Sequence, residues 1–141
     1  HDLGYLIDYE QHQHHGYYLV KNAPLDAFDP REIEILAHLV RYHRGAGPKT
    51  GRQPMAPLRA WQQKVIEKLT PLLRIADALD RSHARRVKEI YCAISKSRVR
   101  LELISRYQVD LELDAARGHA KLFERVYGSK LRLRQGLEQA R

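Results

Sequence analysis

Between Pro30 and His43 the apolar residues Ile33, Leu36, Leu39 and Val40 recur at spacings of three and four, the period of an amphipathic helix. Asp29-Pro30 precedes that run as an N-cap followed by proline at the first helical position. Residues 44–57 then carry Gly45, Gly47, Pro48, Gly51, Pro54 and Pro57, a density of breakers that predicts a loop. Helical spacing returns from Leu58 to Leu79 through Trp61, Val65, Ile66, Leu69, Leu72, Leu73, Ile75 and Ala76. Thr70-Pro71 inside it reads as a second cap and first turn, so two successive helices or one kinked helix are expected. Ahead of Asp29, His15 to Asn22 has helical composition, and Asn22 to Phe28 (NAPLDAF) reads as a turn.

After about Val87 the period changes to alternation. Glu89 to Ile94, Arg98 to Ile104 and Val109 to Leu113 each alternate apolar with polar residues, as half-buried strands do, and Lys96-Ser97 would close the first hairpin. Leu122, Phe123 and Val126 then predict a short helix ended by Gly128, and Leu131-Arg132-Leu133 a last strand. The expected class is therefore α+β: a mostly helical domain over 1–86, followed by a small β-β-β-α-β subdomain over 87–141.

At 141 residues the chain has room for one ordinary domain or two small ones, and no apolar run approaches the ~20 residues needed to cross a bilayer, so no membrane partner is expected. A single cysteine, Cys92, excludes an intrachain disulfide framework and a multi-thiolate zinc site, which favours a reducing, cytoplasmic setting. The sequence opens on His1 without a signal-like stretch, which suggests a piece of something longer. The net charge of +8 is unevenly placed: residues 1–58 hold six basic and seven acidic side chains, residues 59–141 nineteen and ten. Six of the eight histidines lie in the first 43 residues. An imidazole-rich first part suits metal or proton chemistry, and an electropositive second part suits polyanions, although a solvated face is the simpler explanation of the charge.

His1-Asp2 offers an imidazole nitrogen and a carboxylate oxygen side by side, both ligands for a divalent metal. His15, His43 and Asp77 stand on separate predicted helices, and Asp77 lies near an apolar stripe, where an unpaired charge is costly and calls for a cation or donor. His12, His14 and His38 are expected to face solvent or pack. Arg44, Arg81, Arg85 and Arg86 are candidate phosphate contacts, since guanidinium forks match phosphate oxygens; the last three also sit where a helix C-terminus attracts cations. Arg98, Arg100, Arg132 and Arg134 alternate with apolar neighbours and should share the solvent face of the small sheet. Nucleic acid is not expected, because no recognition helix or aromatic platform accompanies the charge.

The His-Asp pair of HDLG, His43 in LVRYHRG and Asp77 in LLRIADALDRS, in that order, resemble the HD superfamily of metal-dependent phosphohydrolases. The text QHQHHGYYLVKNAPLDAF, ILAHLVRYHRG, PLLRIADALDRSH and LFERVYGSKLRL is similar to the C-terminal region of the exopolyphosphatase and guanosine pentaphosphate phosphatase (Ppx/GppA) family. The resemblance implies a C-terminal HD-like module that binds or guides polyphosphate or a phosphorylated nucleotide and supports a homodimer, while an N-terminal actin-like domain hydrolyses terminal phosphates. It also implies a divalent metal (magnesium, manganese or zinc) at His1, Asp2 and Asp77, with His15 and His43 serving a second ion or phosphate. An HD histidine one helix upstream would precede His1. The rival expectation is a metal-dependent phosphohydrolase acting on nucleotides or phosphoesters.

Overall fold

The computed structural model describes residues 1–137, which divide into two compact units, one over His1–Leu73 and one from Arg74 onward. The first unit opens with a 3₁₀ turn, Leu3–Leu6, followed by α1 (His12–Asn22), α2 (Pro30–Tyr42) and the first part of α3 (Ala60–Ala78). α2 begins where its cap predicts. The Asp29 carboxylate accepts from the backbone N–H groups of Arg31 and Glu32, and Glu32 accepts from the N–H of Asp29, a complete capping box with Pro30 in the first turn. α1 starts at His12, three residues before the helical composition becomes evident in sequence.

The Gly/Pro-rich segment 44–57 is irregular, as expected, yet it contributes the fully buried Met55 to a core shared with Ile35, Tyr42 and Ile66. Two buried glutamines on α3 fix this region, and Gln63 reaches the segment itself. Gln63 accepts from the Gly51 N–H and donates to the Leu58 carbonyl, both at 2.9 Å. Gln62 accepts from the Arg59 N–H and donates to the Arg31 carbonyl, tying α3 to the start of α2. α3 itself runs unbroken through Pro71, with the Thr70 hydroxyl donating to the Ile66 carbonyl at 2.7 Å.

The second unit comprises the end of α3, then β1 (Glu89–Ser95), β2 (Arg98–Ser105), α4 (Asp110–Arg117), α5 (Ala120–Tyr127) and β3 (Lys130–Leu137). The change of period near residue 87 marks where the strands begin; the division between the units falls earlier, inside α3. The sheet order is β1-β2-β3, with β1 antiparallel and β3 parallel to β2. Leu103, Leu131 and Leu133 of the sheet bury against Ile75, Leu79, Leu113, Ala116 and Phe123.

The α+β class holds, with one correction to the order of elements. Val109–Leu113, expected as a third strand, is the start of α4. Its five residues fit either period, but Val109, Leu113 and Ala116 continue at helical spacing and are all buried, whereas Leu111, which a strand would turn to the same face, is exposed. The two helices form the crossover that a parallel β2–β3 pair requires. α5 ends at Gly128 in the left-handed conformation, as the sequence predicts.

Candidate metal centre

The start of the chain is brought to α1 and α2 by two glycines. A Cβ on Gly4 would collide with the His12 carbonyl and stand 2.8 Å from the Gly16 nitrogen; a Cβ on Gly16 would stand 2.7 Å from Val40 Cγ1. Only glycine permits these approaches, and they press His1 and Asp2 against the first residue of α1 and the residue that caps the end of α2.

Those two residues are His12 and His43, 3% and 1% exposed. The His12 ring stacks on Tyr5, with centroids 4.1 Å apart, and its Nδ1 lies 3.1 Å from the Tyr9 carbonyl. His43 caps α2, with Nδ1 2.6 Å from the Val40 carbonyl. A carbonyl can only accept, so both Nδ1 atoms carry the proton. The two Nε2 atoms face each other at 3.1 Å, lone pair to lone pair when both rings are neutral. Burial pushes the His43 imidazole below its ordinary pKa, helped by the charges of His1 and His12 and opposed by the Val40 carbonyl and Asp2. An added proton is therefore disfavoured as the bridge between them.

Asp2 supplies the opposite charge. Its Oδ1 lies 3.7 Å from His43 Nε2 and 3.8 Å from His12 Nε2, is buried, and has no hydrogen-bond partner. His1 approaches from the other side, with Nε2 3.2 Å from Asp2 Oδ2 and its ring edge-on to His43. The potential ligand atoms of His1, Asp2 and His43 all lie within 4.8 Å of one another. This donor set suits a borderline divalent ion. Two imidazole nitrogens each ~2.1 Å from one metal and a right angle apart are ~3.0 Å from each other, and metal-bound histidines characteristically donate their second N–H to a carbonyl.

Residues 1–119 match the family model described as Ppx/GppA phosphatase, domain III. The chain belongs to that family. No curated protein matches it. The Ppx/GppA match covers the whole His/Asp cluster and most of the second unit, but stops before β3.

Among the residues singled out from sequence, His1, Asp2 and His43 come together in this Ppx/GppA domain. His15 is half-buried on α1, one turn beyond His12, where its charge acts on His14. Asp77 lies on the second-unit part of α3 and, with the buried Arg74, acts on the proton affinity of His119. Arg44 follows His43 in the first unit. Arg81, Arg85 and Arg86 are exposed in the second unit, on a turn where His83 and Arg85 adopt positive φ and the Asp80 carboxylate accepts from the Arg85 N–H. Arg86 donates to the Gln108 carbonyl.

His12, expected only to face solvent or pack, is instead a member of the cluster. The signal for it lay in the spacing: His12, Gly16 and Val20 recur every four residues and are the buried residues of α1. His38 does pack, donating Nδ1–H to the Glu34 carbonyl and meeting Tyr17 edge-on.

Proposed function

We propose that this domain serves an exopolyphosphatase-related phosphatase by binding and guiding polyphosphate and by supporting a homodimer, with terminal phosphate hydrolysis carried by a separate actin-like domain. The Ppx/GppA match over residues 1–119 is the observation that carries this reading. The exposed guanidinium groups of Arg81 and Arg85 support it. Exposed Ile90 and Ile94, on the face of β1 that continues the core face of β2, offer apolar surface to a second copy. The test is titration of the protein with polyphosphate at several salt concentrations, alongside sedimentation analysis. Saturable affinity that falls with salt, in a dimeric protein, supports the reading; no binding at low salt overturns it.

The second reading, a cytoplasmic metal-dependent phosphohydrolase acting on a nucleotide or phosphoester, is favoured by the facing Nε2 atoms of His12 and His43 beside the unpartnered Asp2 Oδ1. Asp2, His12 and His43 would hold the ion, with His1 as a further ligand. Two imidazoles favour manganese or zinc over magnesium, which prefers oxygen. A divalent ion so held lowers the pKa of bound water and polarises a phosphoryl oxygen. Tyr5 stacks on the His12 ring, and the Tyr9 and Val40 carbonyls fix both histidines with Nε2 inward. Elemental analysis of the wild type, of His43→Ala and of His12→Ala, paired with assays on generic phosphomonoesters and phosphodiesters, tests it. Metal-free protein without turnover removes this reading and leaves the module reading standing.

A further inference from the structure

The register of the small sheet sets like charges opposite one another. Arg98 on β2 is paired with Lys130 on β3, and Arg100 with Arg132. Directly opposed cations in a ladder are destabilising, and both pairs are adjacent on one face. The next pair along, Glu102 and Arg134, is closed by a 3.0 Å ion pair, which uses the carboxylate nearest in the ladder. Among the described residues no ion-pair partner stands against Arg98, Arg100, Lys130 or Arg132. All three arginines and Lys130 are exposed, and their alternate neighbours Leu131 and Leu133 bury in the core. The side chains of β1 beside this face are Tyr91, Ala93 and Ser95.

We infer that the open face of the β1-β2-β3 sheet is a polyanion-docking surface, with Arg98, Arg100, Lys130 and Arg132 as its centre and a polyphosphate chain as its occupant. The inference rests on the polyphosphate reading given above and assigns that ligand to a surface completed by β3, beyond the family match. Neighbouring strands are ~4.8 Å apart and alternate residues ~6.7 Å apart, so four cations crowd a patch of a few ångströms and attract an equally dense run of negative charge. The centre of the face offers only guanidinium and ammonium groups. A phosphate chain needs nothing else, whereas a single-stranded nucleic acid draws much of its affinity from bases stacked on aromatic rings. The aromatic side chain on this face, Tyr91, has its hydroxyl donating to Glu89.

The experiment uses the 141-residue protein, sodium polyphosphate of defined chain length, and a single-stranded oligonucleotide matched to it in charge. Arg132→Glu places a carboxylate opposite Arg100 and relieves the repulsion. The inference therefore expects polyphosphate affinity to drop at least tenfold and the salt slope to shrink, while the melting temperature is unchanged or rises. Arg100→Glu, facing Arg132, should do the same. If Arg132→Glu and Arg100→Glu bind like the parent while Arg85→Glu/Arg86→Glu loses affinity, the sheet assignment is overturned and the polyphosphate reading survives. Tighter binding of the oligonucleotide than of polyphosphate also overturns it. A parent protein that binds no polyphosphate defeats the underlying reading and this inference together.

Discussion

Gly4 lies against the backbone carbonyl of His12, too close for any side chain. The contact couples the 3₁₀ turn to the first residue of α1, and so couples Asp2 to the imidazole it faces. Gly4→Ala must push the turn away from α1. Overpacking of this kind costs about 1–3 kcal/mol, and collision with backbone, which cannot rotate aside, belongs at the upper end. Chemical denaturation should show that loss. An alanine variant as stable as the parent would show that the turn does not rest on α1 in solution.

Gln63 holds the 44–57 loop through two hydrogen bonds, to Gly51 and Leu58, from a side chain 7% exposed. Gln63→Leu keeps the bulk but leaves a backbone N–H and a carbonyl without partners. Unsatisfied groups of this kind cost about 1–3 kcal/mol each when they remain buried, and less where water reaches them. The expected result is lower stability together with faster proteolysis confined to residues 44–57. Unchanged cleavage would mean that Met55, rather than the glutamine, anchors the loop.

The contrast between α2 and α4 shows which parts of this fold are legible in sequence. Asp29-Pro30 announces α2 because a cap is a local interaction, and in the structure Glu32 completes the box within four residues. Val109–Leu113 misleads because five residues do not separate period two from period 3.6, and the decision belongs to the core that Val109 and Leu113 share with Phe123 and with Leu103, Leu131 and Leu133 of the sheet. The candidate site divides in the same way. His1-Asp2 and His43 stand out by motif, whereas His12 is recruited by two close glycine approaches and a stacked tyrosine, none of which a linear text displays. Asp77 reads in sequence as a carboxylate near an apolar stripe; that it acts with Arg74 on the proton affinity of His119 depends on the second unit's packing.

Loss of the capping box should be local. Asp29→Ala removes the acceptor for the Arg31 and Glu32 N–H groups and should cost about 1 kcal/mol, within the 0.5–2 kcal/mol found for such caps, while Asp29→Asn should recover most of it. Hydrogen exchange should accelerate in the first turn of α2 and leave the His43 end protected. Protection lost along the entire helix would indicate that α2 depends on its cap more than on Ile35, Ala37 and Val40, which bury its inner face.

Three histidines make the fold sensitive to mild acid. Burial lowers His14, with the charges of Arg41 and His15 adding to it; burial lowers His43, with His1 and His12 adding; burial lowers His119, with Arg74 adding and Asp77 opposing. Each folded value therefore lies below the 6.5 of the unfolded chain. The unfolded state binds protons first, so the associated stability is fully present above pH 6.5 and is lost as the pH falls towards the folded values. Urea midpoints should decline between pH 7.5 and 5.5, and His119→Gln should flatten part of that decline without touching the first unit. A divalent ion on His43 would steepen it, because protons compete for the same nitrogen. Midpoints that stay level across this range would mean that these imidazoles are as solvated in the folded protein as in the unfolded chain.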